Sequence, residues 1–261
     1  MLLWLQRAAI KRRRRPTTLI SEHQPEVIRE RLAGHHDTNY LGDAVLGAID
    51  GCVTTFAVVA GAIGGGFSAT VVIILGFANL VADGFSMAVS NYLGTKSDRE
   101  QVEKARRREE QHIERYPDGE REEVRQIFAQ KGFTGSTLEE VVETITRDRR
   151  LWVDTMLTEE LGLQLDGPHP RRAALATFLA FIVVGLVPLI PFLLPGLALQ
   201  QAFIASASAT AVAFFSIGVA RGVVLQRPIW RSGLETLLTG GIAASLAYAV
   251  GYWLHQTYGA V

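Results

Sequence analysis

The chain has few of the residues that build disulfide or zinc-finger scaffolds. It contains one cysteine, Cys52, among 261 residues, which excludes an internal disulfide and any zinc site made of several cysteines. Charge is absent over two long stretches, since residues 51–82 and 173–220 contain no Asp, Glu, Lys or Arg. Each stretch exceeds the roughly 20 residues needed to cross a bilayer. The sequence therefore predicts an all-α integral membrane protein.

Acidic residues are scarce outside one polar segment. The chain has 26 acidic and 26 basic residues, but 18 of the acids lie between residues 98 and 166. We expect five transmembrane helices with a three-helix insert between the second and the third. The expected segments are an N-terminal tail (1–40), transmembrane helices 1 and 2 (41–95), the polar helical insert (96–170) and transmembrane helices 3 to 5 (171–261).

Lys and Arg are absent from both predicted outer loops, whereas the N-terminal tail, the insert and the loop at 221–231 are basic. Positive charge is retained on the cytoplasmic side, so we expect the N-terminus and the insert in the cytoplasm. The tail lacks the order of a secretory signal, because its apolar residues precede its basic ones. Its basic run at 11–15 could contact lipid headgroups. Since the run has no interleaved aromatic residues, we predict no nucleic-acid partner.

Five residues of the first two spans are candidates for a transport path. Asp43 and Asp50 are seven residues apart and share a helix face, and Asn79, Asp83 and Met87 follow one another at a spacing of four. A carboxylate in hydrocarbon is costly, so it usually faces a cavity, a partner or an ion. The alternatives are structural hydrogen bonds for the carboxylates and simple packing for Met87.

The insert contains three pairs of potential metal ligands. The members of each pair are three or four residues apart, so each pair projects from one face of its helix. Converging helices would bring carboxylates, an imidazole and a thioether together, a mixture that suits transition metals. The alternative is a solvated acidic face balanced by the 13 basic residues of the insert. The pairs are Glu109 with His112, Glu120 with Glu123, and Met156 with Glu160.

The helix boundaries of the insert are predicted from turn and capping signals. A turn at 117–119 should precede a helix over 120–130. Ser136 and Glu139 match a capping box, which predicts a third helix of about 25 residues. That helix should end near Leu161, because Gly162 lies just beyond it.

Six stretches carry a resemblance to a known family. In order, they are DGCVTTFAVVAGAIGGG, NLVADGFSMAVSNYLGTKS, REEQHI, PDGEREEV, WVDTMLTEELGL and VGLVPLIPF. Together they resemble the vacuolar iron transporter family over residues 43–254, and the second-span motif is closer to bacterial members. The resemblance implies a homodimer with the pathway at the dimer interface, embedded in a lipid bilayer. It also implies that the protein is not an enzyme but a secondary transporter, which exports Fe²⁺ from the cytosol in exchange for protons. A bacterial source would place it in the plasma or inner membrane.

The resemblance assigns roles to individual residues in the membrane. Asp50 matches the family's membrane aspartate and Met87 its second-span methionine. The family's second-span glutamate falls on Asn79, which cannot ionise. Asp83, one turn further along the same face, is expected to supply the missing charge.

In the insert, the family's ligands match Glu109, Glu120, Glu123, Met156 and Glu160. Two positions depart from the family pattern, because His112 stands where the family has Glu and Leu157 where it has a second Met. Imidazole binds iron, manganese and zinc well, so we expect a modified site rather than a lost one. Fe²⁺ is the expected ion, with Mn²⁺ or Zn²⁺ as alternatives.

Two other classes of function fit parts of the sequence. The spacing of Glu109 and His112 is also that of ferritin-like di-iron proteins, so a membrane-anchored ferroxidase is one alternative. It would consume oxygen in a metal-dependent way. A metal-sensing membrane protein is the other, and it would bind metal without moving it.

Overall fold

The computed structural model describes residues 23–33 and 40–259. Contacts divide the chain into two units, residues 1–37 and 38–261. In the first unit the described helix is α1 (Pro25–Ala33). The predicted tail at 1–40 lies mostly outside the described residues, including its basic run at 11–15.

The second unit is helical, and five of its helical segments are long and apolar enough to cross a membrane. This confirms the predicted fold class. The spans are Leu41–Gly64, Ala69–Arg115, Pro170–Leu193, Leu199–Val223 and Ile229–Tyr258. In chain order, its elements are α2 (Leu41–Gly64), α3 (Ala69–Arg115), α4 (Pro117–Gln130), α5 (Gly135–Arg147), α6 (Arg149–Thr155), a π-helical turn (Met156–Glu160), α7 (Pro170–Gly185), a 3-10 turn (Val187–Leu189), α8 (Ile190–Leu193), α9 (Leu199–Val224) and α10 (Ile229–Tyr258).

Helix α2 lies at the centre of the bundle, in contact with α3, α7, α9 and α10. Small residues allow this close packing, as expected between helices in a membrane. At Gly51, an added Cβ would lie 2.9 Å from the Cα of Phe181 in α7, closer than real Cβ atoms approach. The α2–α7 contact therefore depends on the absence of a side chain at Gly51.

Helix α3 connects the bundle to the insert without a break. Its 47 residues correspond to about 70 Å at 1.5 Å per residue, whereas the hydrocarbon core is about 30 Å thick. The helix begins among apolar residues and ends at Arg115, within the acidic segment. No proline occurs between residues 69 and 116, so one helix can lead from the apolar region into the polar insert.

The third span is interrupted where prolines occur. Helix α7 ends at Gly185, and a 3-10 turn containing Pro188 separates it from α8, which contains Pro191. Proline removes a helical hydrogen bond and leaves carbonyl groups available. The Ser206 hydroxyl of α9 donates a 2.6 Å hydrogen bond to the Pro188 carbonyl oxygen. The break falls at the prolines, and a neighbouring helix satisfies the Pro188 carbonyl group.

Two boundary predictions in the insert are wrong. Residues 117–119 do not form a connecting turn, because they are the first residues of α4. The chain leaves the helical conformation at Tyr116, with φ −138° and ψ 55°. Pro117 disfavours an α conformation at the residue before it and itself suits the start of a helix. The predicted end of α4 agrees with the structure, in which the helix ends at Gln130. Gly132, two residues later, has φ +96°.

The predicted third helix of the insert is also wrong in extent. It is divided into α5 and α6 by Asp148, whose carboxylate accepts hydrogen bonds from the backbone N–H groups of Arg150 at 2.8 Å and Leu151 at 3.2 Å. This side chain caps α6 and competes with continuation of α5. The Ser136 capping box does not form, because α5 begins at Gly135 after Thr134 and has no side-chain cap. The π-helical turn ends before Leu161, and Gly162 follows with φ +62°, as predicted.

The insert has a hydrophobic core of its own, to which α3 to α6 and the π-helical turn all contribute. Met156 and Leu157 are among its most buried side chains, each with 0% of its surface exposed. This packing fixes the helices whose polar faces form the site described below. The buried residues are Ile113, Val124, Val142, Ile145, Trp152, Val153, Met156 and Leu157.

Candidate metal centre

Three of the predicted ligands converge in the insert. Glu109 and His112 project from α3 and Glu120 projects from the first turn of α4. One potential ligand atom from each residue lies within 4.8 Å of the others, and His112 Nδ1 lies 3.3 Å from Glu120 Oε1. This group, called the insert cluster, could hold a divalent cation. It forms because the chain reverses at Tyr116 and brings the start of α4 beside the end of α3.

Glu120 is the most confined carboxylate of the insert cluster. It is 5% exposed, and its Oε2 atom is buried without a hydrogen-bond partner among the described residues. The pKa of Glu120 is raised from 4.5 to about 7, chiefly by burial and also by the neighbouring carboxylates Glu123, Glu109 and Glu160, whereas His112 acts to lower it. A buried carboxylate surrounded by like charge is stabilised by a proton or a cation. The orphaned oxygen therefore fits a divalent ion.

Glu123 and Glu160 lie at the edge of the same cluster. Burial raises the pKa of Glu160, and Glu109 and Glu123 raise it further. Since Glu123 also acts on Glu120, the four predicted glutamates share one electrostatic environment. Both edge residues are exposed, so they lie where a cation would enter from solvent. The structure thus brings together four carboxylates and one imidazole predicted from the sequence.

Met156 occupies a different environment from the carboxylates. Its side chain is fully buried in the hydrophobic core of the insert, beside Leu157. The π-helical turn that contains both residues packs against α3 and α4, the two helices that carry the insert cluster. Such turns are frequent at functional sites. Met156 therefore has a packing role whether or not its sulfur binds an ion.

Sequence reasoning missed the basic residues around the cluster. Arg108 Nε donates to His112 Nε2 at 3.5 Å, which leaves the Nδ1 proton of a neutral imidazole directed at Glu120. Arg106 pairs with Asp154 at 2.5 Å and so connects α3 to α6. The signal was the run of three arginines at 106–108, which alone indicates only a charged face.

In the membrane bundle, the structure brings Asp50 of α2 close enough to Asp83 of α3 for their charges to repel. Asn79 and Met87 lie one turn to either side of Asp83, and all four side chains are half-buried. The Nδ2 atom of Asn79 is buried and has no hydrogen-bond partner in the described part of the chain. The Asp50–Asp83 pair and the amide of Asn79 form one polar group on α2 and α3.

Asp43 is held in a hydrogen-bond network rather than beside Asp50. Asn91 Nδ2 donates to Asp43 Oδ1 at 2.8 Å and to Thr177 Oγ1 at 2.6 Å. Thr95 Oγ1 in turn donates to Asn91 Oδ1 at 3.3 Å. Asn91 and Thr95 continue the spacing of four that runs through Asn79, Asp83 and Met87, so the pattern itself would have identified them had it been extended. Thr177, on α7, carried no such signal.

The fold and the site together define a class of protein. It is a multi-pass membrane protein in which one helix joins a pair of membrane carboxylates to an acidic cluster that could hold a cation. Comparison with known sequences gives the family. The sequence pattern of the VIT family matches residues 41–252.

Individual relatives agree with this match. The chain is 32% identical over 254 residues to the vacuolar iron transporter of Toxoplasma gondii, which covers 91% of this chain and 84% of the relative. It is 33% identical over 222 residues to the vacuolar iron transporter of Centaurea cyanus, with 83% and 89% covered. It is 31% identical over 236 residues to vacuolar iron transporter 1 of Arabidopsis thaliana, with 87% and 92% covered. The chain belongs to the VIT family, which confirms the resemblance found in the sequence.

Proposed function

We propose that the protein transports divalent transition-metal ions, carrying Fe²⁺, or Mn²⁺ as an alternative substrate, out of the cytosol in exchange for protons. The relatives named as vacuolar iron transporters support iron as the cargo. The main observation in support of the proposal is that α3 is one continuous helix. This helix bears Asp83 in the bundle and Glu109 and His112 in the insert cluster.

The insert cluster would act as a collecting site. Its ligands are carboxylates and an imidazole, donors that iron, manganese and zinc accept. The burial of Glu120 and its unpartnered oxygen favour a cation over bulk water as its partner. Cations released from Glu123 and Glu160 at the edge would be concentrated near the cytoplasmic end of the bundle.

The membrane carboxylates would carry the ion across and bring protons back. A carboxylate in hydrocarbon is tolerated when it holds a cation or a proton and is costly when it is bare. After releasing metal outside, Asp50 and Asp83 would therefore return protonated, which is antiport. Because Asn79 replaces an ionisable residue of the family pattern, Asp83 supplies the second charge in this mechanism.

A homodimer would complete the path. Asp83 and Met87 are half-buried in a single chain, so a second copy placed against this face would enclose them. The basic loops support a cytoplasmic location for the N-terminus and the insert. Under this arrangement the insert faces the cytosol and the exit faces the outside.

The test replaces Asp50 by Asn in the full chain reconstituted in liposomes, with Fe²⁺ kept reduced. We expect the variant to lose metal flux and its dependence on pH. The matched control is Glu235→Gln, an exposed carboxylate on α10 that is outside the path, and it should transport normally. Unchanged flux in Asp50→Asn would show that the assignment of the path is wrong.

A further inference from the structure

A groove on the outside of the bundle is almost wholly apolar and has Arg171 at one end. It lies between α3 and α7 and has a volume of about 360 Å³. Its lining residues are Phe85, Ala88, Val89, Tyr92, Arg171, Ala174, Leu175 and Phe178. Phe85 is 65% exposed and Leu175 is 56% exposed. The apolar walls are therefore open to the bilayer.

The two helices run in opposite directions along the groove. Residues at equal distances from the polar end of each span therefore lie at the same depth in the bilayer. Tyr92 and Arg171 lie near the first charged residues beyond each span, at the expected surface of the hydrocarbon. Phe85 and Phe178 each lie seven residues further into the bundle, about 10 Å at 1.5 Å per residue. The groove thus passes from a polar rim to an apolar floor.

The groove lies away from the proposed transport path. Phe85 is two residues after Asp83, and this spacing turns the side chain by about 200° around the helix. Gly84 lies between them, and a Cβ added there would meet Phe181, Ile182 and Phe178 of α7. The carboxylate face and the groove face of α3 are therefore different surfaces.

The charged residue at the rim, Arg171, has no acidic partner among the described residues. Arg171 and Arg172 occupy the first turn of α7, which contains no acidic residue. A helix N-terminus favours anions, so two cations there are unfavourable unless an anion binds. Arg171 is exposed and forms no ion pair with any residue that the structure describes. The rim also offers the hydroxyl group of Tyr92.

We propose that this groove binds an anionic phospholipid of the surrounding bilayer, with the headgroup phosphate at Arg171, Tyr92 and the start of α7 and an acyl chain along Phe85 and Leu175. Charge complementarity selects an anionic headgroup over a zwitterionic one. The depth of the apolar floor selects a lipid over a soluble phosphate. The inference depends on membrane insertion and not on the proposed transport activity.

The test is native mass spectrometry of the delipidated full chain, titrated with phosphatidylglycerol or with phosphatidylcholine of the same acyl chains. We expect phosphatidylglycerol to bind more tightly. Arg171→Gln should weaken it about fivefold, the effect of one basic residue near an anionic surface, and leave phosphatidylcholine unchanged. The matched control is Arg227→Gln, an exposed arginine of the α9–α10 loop that does not line the groove.

Two further variants keep the test decisive if Arg171→Gln does not fold. Tyr92→Phe removes only the hydroxyl group and should weaken phosphatidylglycerol binding. Ala174→Trp fills the groove while keeping Arg171, and should weaken both lipids. Equal loss in Arg227→Gln, or unchanged binding in the groove variants, would overturn the proposal. A groove variant that changes the subunit count without changing lipid binding would also overturn it, because the groove would then be a protein interface.

Discussion

Replacing Glu120 by Gln should remove a pH dependence from the stability of the insert. The side chain is buried, and its pKa is raised from 4.5 to about 7. The folded state therefore binds a proton that the unfolded state has released between these two pH values. Stability contributed by this proton is fully present below pH 4.5 and is lost as pH rises through about 7.

The size of the effect follows from the shift. At 1.36 kcal/mol per pKa unit, ionising Glu120 in the metal-free protein costs the insert about 3 kcal/mol. Glutamine keeps the shape and polarity of the side chain but carries no charge. We therefore expect the variant to lose this slope and to be more stable than the wild type above pH 7 without metal.

Hydrogen exchange of the full-length protein, read over peptides from residues 117–160, measures local opening of the insert. The matched control is Glu122→Gln, on the same helix but exposed. Hydrogen bonds from Arg125 and Gln126 lower the pKa of Glu122, so its contribution has the opposite sign and is lost as pH falls. The control should retain the wild-type slope between pH 4.5 and 7.

The same variant should change metal binding. A cation that displaces the Glu120 proton binds more tightly as pH rises, by up to about tenfold per pH unit until about pH 7. Glu120→Gln should bind metal weakly and lack this dependence. If its exchange profile and metal affinity keep the wild-type pH dependence, Glu120 is not the group responsible.

Three further predictions test packing and surface charge. Met156→Leu should change the stability of the insert by no more than about 1.5 kcal/mol, whereas Met156→Ala should lower it by about 2–5 kcal/mol; hydrogen exchange measures both changes. If the Met156 sulfur is a ligand, Met156→Leu should also weaken metal affinity. Gly51→Ala should lower the thermal stability of the bundle, because the new Cβ meets the α7 backbone; Gly42→Ala, with open space around it, should not. The exposed pair of Arg125 and Glu139, with hydrogen bonds of 2.9 and 2.8 Å, should give a coupling of no more than about 1 kcal/mol in a double-mutant cycle.

The spans were predictable because one physical requirement dominates them. A helix that crosses hydrocarbon must be apolar over about 20 residues, and residues 51–82 and 173–220 contain no charge at all. The absence of proline between residues 69 and 116 likewise permits the continuity of α3. These are local properties of the chain, and the structure agrees with them.

The helix boundaries inside the insert depend on which hydrogen-bond partner a side chain takes, and a sequence pattern does not show which one it takes. Ser136 and Glu139 fit a capping box, but Glu139 pairs with Arg125 of the preceding helix instead. Asp148 fits the interior of a long helix, but its carboxylate caps the next one. In each case the side chain takes a partner that the local pattern does not identify, since Arg125 lies on the neighbouring helix and the N–H groups of Arg150 and Leu151 begin the next one.

The convergence of the site was predictable only in part. Spacing showed that Glu109 and His112 share one face and that Glu120 and Glu123 share another. Which faces meet is set by the reversal at Tyr116 and by the hydrophobic core of the insert. The hydrogen bonds of Asn91 to Asp43 and Thr177 join three spans far apart in the sequence, and no local spacing encodes such contacts.

The most direct test of the proposed function is metal flux into liposomes that contain the purified full chain and a trapped pH dye, with Fe²⁺ and Mn²⁺ compared. Proton-coupled transport predicts that metal entry is accompanied by a rise in internal pH as protons leave, and the faster ion identifies the preferred substrate. Metal binding without entry, or entry without a change in internal pH, would contradict it.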